Sequence, residues 1–564
     1  MRKKWTIFWT VFLLSLIFLT VIDLRSIDFY ERGIVVDDQK KNINFVTHND
    51  STDHLKLSFS KDFVFTQKSY VRDKMLSGKK TVLVDEHILK TRLLIPDTDI
   101  SIDLRITARY FDNADALLFF RFFSEKGFDQ DLFFALDFPL AIFEEAKIKT
   151  LNYSCFLKPT EMDKMESSML EVVLTEKASY FPSSLNYIET ISPYGLVNGS
   201  FLLGPGAVFK NKEVRLRELQ GSDLNPLIQL SKEKQRMKVS IPVKIKAYQY
   251  QENWFFYSPK RLLDYDNEET LKNMLAADFT LKKKLSMDGI YHIASSLFYE
   301  GASDETYDYY YNYAMWEGRR FMNLHQKYPE QSLFYNFFVN SVYTTVKSAH
   351  RYGVWVSDVR SKYLWSTYQI PEGYIDTRYC TDAGFFLLQV YNTFQIPDAL
   401  SAGEKFGDFL HQKILSREGI STGPDGFFCF DYYLLDQDFP THASLNHILS
   451  EMNYLFELYL STYKKSYLDT AEFMLKALHE TGNRWIRDQE YGRFRYDLWY
   501  GVFPEDNGDL AFKLHDYTKD LTYYDLLQSQ RHIKTIYNKS DPVLDLLIKS
   551  KLKFFQREGI KVRE

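Results

Sequence analysis

The hydrophobic period of the chain changes near residue 263, and this change separates two kinds of structure. From Ile100 to Thr107 and from Val239 to Ile245, apolar and polar residues alternate, which predicts half-buried strands. After Asn267 the apolar residues follow helical spacing. The sequence therefore predicts a multidomain α+β protein, with a β-rich domain at 53–262 and a helical domain at 263–564.

The β-rich part contains many short strand candidates that are interrupted by Gly, Pro, Asn and Asp. This pattern favours an antiparallel sandwich or a strongly curved sheet. Pro242 has no N–H to donate, so we expect its strand to lie at a sheet edge. The further candidates are Leu55 to Phe65, Thr81 to Val84, Ala116 to Phe123, Leu132 to Phe138, Leu170 to Thr175 and Ser200 to Phe209.

Three stretches of the helical part resemble one another. Each predicts a helix that ends near Tyr391, Tyr459 or Tyr537, then a short turn and a second helix. The three tyrosines lie 68 and 78 residues apart. Repeated helical hairpins at such a period indicate an array, which we expect to form an (α/α) toroid or incomplete barrel.

The N-terminus predicts a membrane anchor. Trp5 to Ile22 is an uncharged apolar run of eighteen residues, just long enough to span a bilayer as a helix. Arg2, Lys3 and Lys4 precede it, so residues 1–25 are interpreted as a cytoplasmic tip and signal anchor, with the bulk of the chain outside the cytoplasmic membrane. A cleaved signal peptide is the alternative, although an A-x-A site is missing. The polar segment 26–52 is interpreted as a stalk.

Composition excludes some classes of function. A net charge of -5 and a pI near 6.2 argue against nucleic-acid binding, which would need a strongly basic domain. The three cysteines, Cys155, Cys380 and Cys429, are too few for a disulfide framework. A Cys380–Cys429 bridge and two buried thiols both remain open.

Three loops are rich in aromatic and acidic residues. They run from Trp355 to Arg378, from Phe427 to Pro440 and from Tyr491 to Tyr524. Loops held by a rigid scaffold commonly carry binding groups. Aromatic faces stack on sugar rings, and carboxylates and tyrosines exchange protons. The combination therefore predicts a carbohydrate cleft.

Short motifs in these loops support a resemblance to a known family. They are GVW at Gly353 to Trp355, PEGY at Pro371 to Tyr374, DFP at Asp438 to Pro440, LN at Leu445 and Asn446, YDL at Tyr496 to Leu498 and DY at Asp516 and Tyr517. In order and approximate spacing they resemble the C-terminal domain of the D-glucuronyl C5-epimerases, which convert glucuronate to iduronate in heparan-type polysaccharides. The resemblance covers residues 345–530, about a third of the chain.

The resemblance implies a membrane-anchored enzyme that acts on a uronate-containing polysaccharide without a cofactor. A base removes the C5 proton of a hexuronate, and an acid returns a proton to the opposite face. Asp438 is similar to the family's catalytic carboxylate, which is Glu in the animal enzymes. Tyr496 and Tyr517 are similar to its two C-terminal catalytic tyrosines.

The sequence departs from the family where the substrate carboxylate would be held. The family's YDLRH contains an arginine, whereas YDLWY here places Trp499 and Tyr500 after YDL. Arg378, Arg493 and Arg495 are the candidates to replace that charge, although none is at the matching position. PYGL at Pro193 to Leu196 is similar to a QYGL segment of the family. The substrate-binding candidates are Tyr194, Trp355, Arg378, Arg495, Trp499 and His515.

Other functions remain open. A polysaccharide lyase shares the C5 proton abstraction, and a glycoside hydrolase would need two carboxylates flanking the bond. A non-catalytic polysaccharide-binding surface protein is a third interpretation. No metal site is expected, because His442 and His447 lack an HExxH motif and the run from Glu505 to Asp509 lacks EF-hand spacing. A homodimer is compatible with the sequence.

Overall fold

The protein is described by a computed structural model. It describes residues 33–37, 42–46, 55–59, 64–77, 82–96, 99–139, 145–153, 183–204, 206–221, 227–231, 236–276, 283–303, 306–312, 315–349, 353–437, 439–488, 495–505 and 507–562. The proposed anchor and the strand candidate at Leu170 to Thr175 lie outside these residues. Within them, no helix is both long and apolar enough to cross a membrane.

The first part of the chain folds into strands. They are β1 Gly33–Asp37, β2 Asn42–Val46, β3 Leu55–Phe59, β4 Val64–Ser77, β5 Val82–Leu94, β6 Ser101–Phe111, β7 Ala116–Ser124, β8 Phe128–Pro139, β9 Glu145–Tyr153, β10 Ser183–Ile191, β11 Val197–Leu203, β12 Ala207–Asn211, β13 Arg217–Gly221, β14 Leu227–Ser231, β15 Arg236–Ile245, β16 Gln249–Ser258, β17 Lys283–Ser286, β18 Gly289–Ile293 and β19 Asp308–Asn312.

The second part is mainly helical, with short strands between the helices. The helices are α1 Glu268–Leu275, α2 Met315–Lys327, α3 Ser332–Ser348, α4 Lys362–Tyr368, α5 Thr377–Phe394, α6 Pro397–Leu415, α7 Leu445–Thr462, α8 Lys465–Thr481, α9 Lys519–Tyr537 and α10 Pro542–Glu558. The strands are β20 Val356–Ser357, β21 Tyr374–Asp376, β22 Gly419–Ser421, β23 Phe427–Cys429, β24 Tyr432–Tyr433, β25 Ala443–Ser444, β26 Ile486–Arg487, β27 Asp497–Pro504 and β28 Leu510–His515.

Two antiparallel sheets form the predicted sandwich. In the described residues, a six-stranded sheet has the order β1-β2-β3-β8-β15-β14, and a thirteen-stranded sheet has β17-β18-β19-β13-β12-β16-β7-β6-β5-β4 as its main path. The alternation along β7 explains the layers. Leu118 and Phe120 face the six-stranded sheet, and Phe120 lies 5.4 Å from Phe134 of β8 between ring centres. Leu117 and Phe119 face the helices.

The helices pack on the other face of the thirteen-stranded sheet. Phe256 of β16 and Phe321 of α2 contact Phe337 of α3, with ring centres 4.9 and 4.6 Å apart. Arg109 of β6 is buried there, and its Nη1 donates to Asn340 Oδ1 at 2.7 Å. The thirteen-stranded sheet and the helices therefore share one apolar core, which is separate from the core between the two sheets.

The predicted hairpin repeats are confirmed as α5–α6, α7–α8 and α9–α10. Each first helix ends at a residue with positive φ, namely Gln395 (56°), Tyr463 (58°) and Asn538 (53°), as in an αL cap. The amide of each cap residue donates to the carbonyl four residues earlier, in Tyr391, Tyr459 and Lys534. In the third repeat Lys534 therefore occupies the position that corresponds to Tyr391 and Tyr459, and Tyr537 does not. Helix α7 lies between α5 and α9, and we call this row of three helices the arc. Its closure into an (α/α) toroid stays a prediction.

Three expectations about boundaries need correction. The segment interpreted as a stalk contains β1 and β2. Strand β1 pairs with β2, and β2 pairs with β3. The β-rich domain extends past residue 262, because β17, β18 and β19 join the thirteen-stranded sheet. Leu285, which fits helical spacing, is in β17.

The structure also bears on two smaller expectations, the edge position of Pro242 and the state of the cysteines. Strand β15 lies between β8 and β14. Pro242 lies beyond Ser240, the last residue of β15 with a described partner in β14, and among the described residues it pairs only with Phe133 of β8. Within this part of the chain the missing N–H therefore falls at a local edge. Cys380 and Cys429 are buried free thiols, and Cys155 lies outside the described residues.

Candidate active site

The candidate site lies at one end of the arc, where α5 and α7 begin. Short strands fix the loops there: Ile375 of β21 pairs with Tyr433 of β24, and Ser444 of β25 pairs with Gly501 of β27. These pairings bring together the loops before α5, before α7 and before β28, which lie far apart in sequence. Each of them overlaps one of the aromatic and acidic loops singled out above.

A buried Tyr–His–Asp chain lies at the centre of the site. His442 Nε2 lies 3.2 Å from Asp431 Oδ2, and His442 Nδ1 lies 2.7 Å from the Tyr368 hydroxyl oxygen. Asp431 and His442 are both 0% exposed, whereas Tyr368 is half-buried. With the ring proton on the side of Asp431, Nδ1 accepts from Tyr368. The chain can therefore move the phenolic proton inward to His442.

Ser444 and a second histidine keep Asp431 ionised. Its carboxylate accepts from the Ser444 amide at 2.7 Å and from Ser444 Oγ at 2.5 Å. His447 Nε2 lies 3.7 Å away, and His447 Nδ1 accepts from the Arg378 amide at 3.2 Å, which places the ring proton on Nε2. Burial opposes ionisation of Asp431, but the two histidines and Ser444 outweigh it and hold the pKa of the carboxyl below its usual value.

The rings of Tyr363, Tyr368, Tyr432 and Tyr500 lie around His442, and Tyr517 stacks on Tyr500. We call Tyr363, Tyr368, Tyr500 and Tyr517 the tyrosine cluster. The ring centres of Tyr363, Tyr368 and Tyr500 lie 6.2, 5.8 and 6.0 Å from that of His442. Tyr517 stacks on Tyr500 at 4.7 Å, and its hydroxyl donates to the Tyr500 hydroxyl at 3.0 Å. The cluster thus contains two tyrosine pairs, 363/368 and 500/517.

The cluster opens to solvent through one member of each pair. Tyr517 is 70% exposed and Tyr363 is 42% exposed, whereas Tyr500 is buried. Burial raises the pKa of all four phenols, and the carboxylate of Asp431 raises them further. The phenols are therefore neutral acids at physiological pH. A phenolate can form only where its proton has a nearby acceptor, and His442 offers one to Tyr368.

The three residues predicted to be catalytic are placed differently from one another. Tyr517 belongs to the tyrosine cluster. Tyr496 has φ of 69° just before β27, and its ring lies near the cationic groups of Lys553 (4.7 Å) and Arg495 (5.1 Å), away from His442. Asp438 lies outside the described residues, and the next residue, Phe439, packs against a small core of Leu364, Ile370 and Tyr374. The YDL segment contributes Tyr500, four residues after Tyr496.

Several predicted substrate-binding residues lie away from this site. Trp355 is 1% exposed and its indole N–H donates to the Thr345 carbonyl at 2.9 Å, so it packs in the core and offers no face to a sugar. Tyr194 is 89% exposed at the tip of the β10–β11 hairpin. Arg495 is an exposed partner of Asp488 (3.4 Å). Trp499 lies under the Arg487 guanidinium at 4.6 Å.

His515 belongs to a separate buried ion cluster. Lys551 Nζ lies 2.9 Å from Asp497 Oδ1 and 2.5 Å from Asp516 Oδ2, and all three side chains are buried. His515 Nε2 lies 2.6 Å from Asp497 Oδ2. The aspartates of the YDL and DY motifs thus meet on one lysine of α10. This lysine holds the β27–β28 hairpin, and with it Tyr517, against the helices.

Arg378 lies between the tyrosine cluster and a cavity inside the arc. Its amide holds His447, whereas its guanidinium donates to Asp525 Oδ2 at 2.5 Å and to the Asn446 carbonyl at 2.9 Å. The cavity has a volume of about 450 Å³ and is lined by residues of α2, α5, α7 and α9. Within the described residues, no group of three His, Cys, Asp or Glu side chains is arranged to hold a metal ion.

Sequence reasoning missed Tyr363, Tyr368 and Tyr500 as members of the site. It considered His442 and His447 only as zinc ligands, and Asp431 only as a member of an acidic loop. A usable signal was present, because the two histidines follow Asp431 at the start of α7 and the tyrosines lie in the loops already singled out. The pairing of Tyr368 with His442, 74 residues apart, could not be read from local pattern.

Comparisons with known proteins give distant likenesses only. No family model matches the chain, and no curated protein matches it. Among solved structures, a D-mannose isomerase is 13% identical (TM-score 0.36, 51% of this chain and 70% of that one). A family 76 glycoside hydrolase from a bovine Bacteroides thetaiotaomicron strain is 10% identical (0.35, 78% and 75%), and a polysaccharide lyase is 7% identical (0.25, 94% of each). Their names describe enzymes that act on carbohydrates, but likenesses with such low TM-scores carry no functional argument.

Proposed function

We propose that this protein is an enzyme that removes and returns the C5 proton of hexuronate residues in a polysaccharide, an epimerase of the glucuronate-to-iduronate type. The observation that carries the proposal is the Tyr368–His442–Asp431 chain beside the Tyr500–Tyr517 pair. It supplies two proton-exchanging groups at one solvent-facing site, which epimerisation needs. The motif resemblance around residues 345–530 points to the same chemistry.

Each pair has one role in the proposed reaction. Tyr368 passes its proton to His442, and the phenolate takes the C5 proton, so that the C5–H bond breaks and a Tyr368 O–H bond forms. The electron pair moves into the uronate carboxyl group as an enolate. Tyr517 then donates its proton to the opposite face of C5, while the Tyr500 hydroxyl stabilises the phenolate that remains. The protonated His442 beside ionised Asp431 supplies positive charge close to the enolate.

A polysaccharide lyase is the second candidate, because the same abstraction followed by loss of the C4 substituent gives an unsaturated sugar. Hydrolysis is disfavoured, since Asp431 is fully buried and its oxygens accept from Ser444. A non-catalytic polysaccharide-binding protein would use the exposed tyrosines as a stacking surface and would not need the His442–Asp431 pair. The bulk of the chain is proposed to act outside the cytoplasmic membrane, anchored through residues 5–22.

The experiment is deuterium exchange. The full chain is incubated with heparosan and other uronate polymers in D₂O, and the C5–H signals are followed by NMR. Epimerisation predicts deuterium at C5 of intact polymer together with iduronate signals. An unsaturated product would show a lyase instead. A folded protein that exchanges no C5 proton on any uronate polymer would contradict the proposal and favour the binding protein.

A further inference from the structure

The cavity inside the arc contains polar groups that the proposed reaction does not use. Its walls come from α2 through Arg319, from α5 through residues 378–393, from α7 through Glu457 and from α9 through Asp525 and Gln528. Its volume of about 450 Å³ lies in the range of small-molecule sites. The volume is enough for one or two sugar rings.

Most charged groups of the lining neutralise one another. Arg378 is paired with Asp525 at 2.5 Å, and Glu457 Oε1 lies 2.9 Å from His532 Nε2. Asp382 Oδ1 has only a long contact with Arg378 Nε, at 3.8 Å, and Arg319 remains. Arg319 donates only to the Asp382 carbonyl oxygen, at 3.1 Å, and no carboxylate of the described residues lies within 4.0 Å of its guanidinium. The lining therefore offers one cation and one anion with spare hydrogen-bonding capacity, and little net charge.

Uncharged groups complete the lining. Gln389, Asn392, Thr393 and Gln528 present amides and a hydroxyl, and no hydrogen-bond partner is found for the side chains of Gln389 and Gln528 among the residues that are described. Phe385 and Leu388 form an apolar patch on the same wall. A sugar ring has hydroxyls that both donate and accept and a C–H face that packs on an aromatic ring. The donors, the acceptors and the apolar patch match these features.

We propose that this cavity is a second carbohydrate site, which binds a neutral mono- or disaccharide between Arg319 and Asp382 and is separate from the tyrosine cluster. The near balance of charge in the lining favours a neutral sugar over a uronate. The proposal does not depend on the epimerase assignment. The two sites are nevertheless adjacent, because Arg378 lines the cavity through its side chain and holds His447 through its amide.

The test is saturation-transfer NMR on the full chain with D-glucose, D-galactose, D-mannose, N-acetyl-D-glucosamine and two disaccharides, maltose and cellobiose, with D-glucuronate as the charged comparison. At least one neutral sugar is expected to bind, with a dissociation constant on the order of 1 mM. Gln389→Trp fills the cavity from an exposed wall position and should weaken that binding at least tenfold. Gln412→Trp makes the same change at an exposed position of the outer helix α6 and should leave binding unchanged.

Arg319→Met separates the specific contact from simple blockage, because it removes the guanidinium and keeps the cavity open. It should also weaken binding at least tenfold, with an unchanged melting temperature. The proposal is overturned if no neutral sugar binds, if glucuronate binds more tightly than every neutral sugar, or if Gln389→Trp binds sugar as well as Gln412→Trp. Deuterium exchange at C5 in Gln389→Trp reports on the tyrosine cluster independently, so failure of either proposal leaves the other testable.

Discussion

Asp431 and Asp497 are both fully buried carboxylates beside a histidine, yet their surroundings differ. Asp431 accepts from Ser444 and faces His442, which leads to tyrosines that reach solvent. Asp497 faces His515 and the buried ammonium of Lys551, which also binds Asp516. The first carboxylate ends a path along which a proton can move, and the second belongs to a closed set of charges. The same residue types therefore serve chemistry in one place and hairpin anchoring in the other.

The largest effect is expected in the tyrosine cluster. Tyr368→Phe and Tyr517→Phe each remove one exchangeable proton, and each should lower C5 deuterium exchange about 10²- to 10⁴-fold. The melting temperature should change little, because Phe keeps the ring. The comparison variant is Tyr496→Phe, whose ring lies near Lys553 and not near His442. If Tyr496→Phe abolishes exchange and Tyr368→Phe does not, the site has been placed in the wrong region.

Replacing the lysine of the ion cluster is expected to lower the stability of the protein. Lys551→Met leaves two buried carboxylates without their cation, which is expected to lower the free energy of unfolding by about 3–5 kcal/mol. Urea denaturation measures this loss. Adding Asp497→Asn and Asp516→Asn removes the uncompensated charges and should restore part of it. A single variant as stable as the parent would show that Lys551 does not hold the hairpin.

Two variants that each remove one hydroxyl group sharpen the comparison between the surroundings of Asp431 and the ion cluster. Ser444 Oγ donates to Asp431 at 2.5 Å, and Thr518 Oγ1 donates to Asp516 at 2.7 Å. Ser444→Ala and Thr518→Val each remove one hydrogen bond to a carboxylate, at an expected cost of about 1.5–3 kcal/mol in unfolding free energy. Only Ser444→Ala should also slow deuterium exchange at C5. Equal slowing in both variants would mean that the two clusters act as one unit.

Much of the fold could be predicted from period alone. Alternation identified β6 and β15, and helical spacing identified the hairpins of the arc, because burial on one face imposes those periods. Strands β1 and β2 were missed because each has only five residues, within a polar segment. The helical assignment of Leu285 failed because apolar spacing over so few residues fits β17 equally well.

The site was predicted less completely. The DY motif pointed to Tyr517, which belongs to the tyrosine cluster. The YDL motif pointed to Tyr496 and not to Tyr500, but Tyr496 has a positive φ and does not follow the alternation of side chains along β27. Lys551 carried a signal that was not used, since it occupies a buried position of α10 among Leu547, Phe554 and Phe555. A lysine at an apolar helix position predicts a buried carboxylate partner, although pattern cannot say which one.

The smallest effect concerns two histidines whose pKa values are shifted in opposite directions. His515 and His479 each lie 2.6 Å from an aspartate. Burial is the main cause that lowers the pKa of His515, and Arg487, Lys519 and Lys551 act in the same direction against the attraction of Asp497. The hydrogen bond to Asp541 is the main cause that raises the pKa of His479, against burial and Lys539. Burial therefore prevails at His515, and the hydrogen bond prevails at His479.

These directions give opposite dependences of stability on pH. The folded pKa of His515 lies below 6.5, so the unfolded state takes up more protons and stability from this group is lost as pH falls below 6.5. The folded pKa of His479 lies above 6.5, so its contribution is complete below 6.5 and is lost as pH rises through the folded pKa. His515→Gln and His479→Gln should therefore change the slope of unfolding free energy with pH in opposite senses, each by at most about 1.4 kcal/mol per pH unit. NMR titration of the imidazole protons checks both directions. Titration midpoints on the same side of 6.5 would remove the electrostatic distinction between the surroundings of Asp497 and those of Asp541.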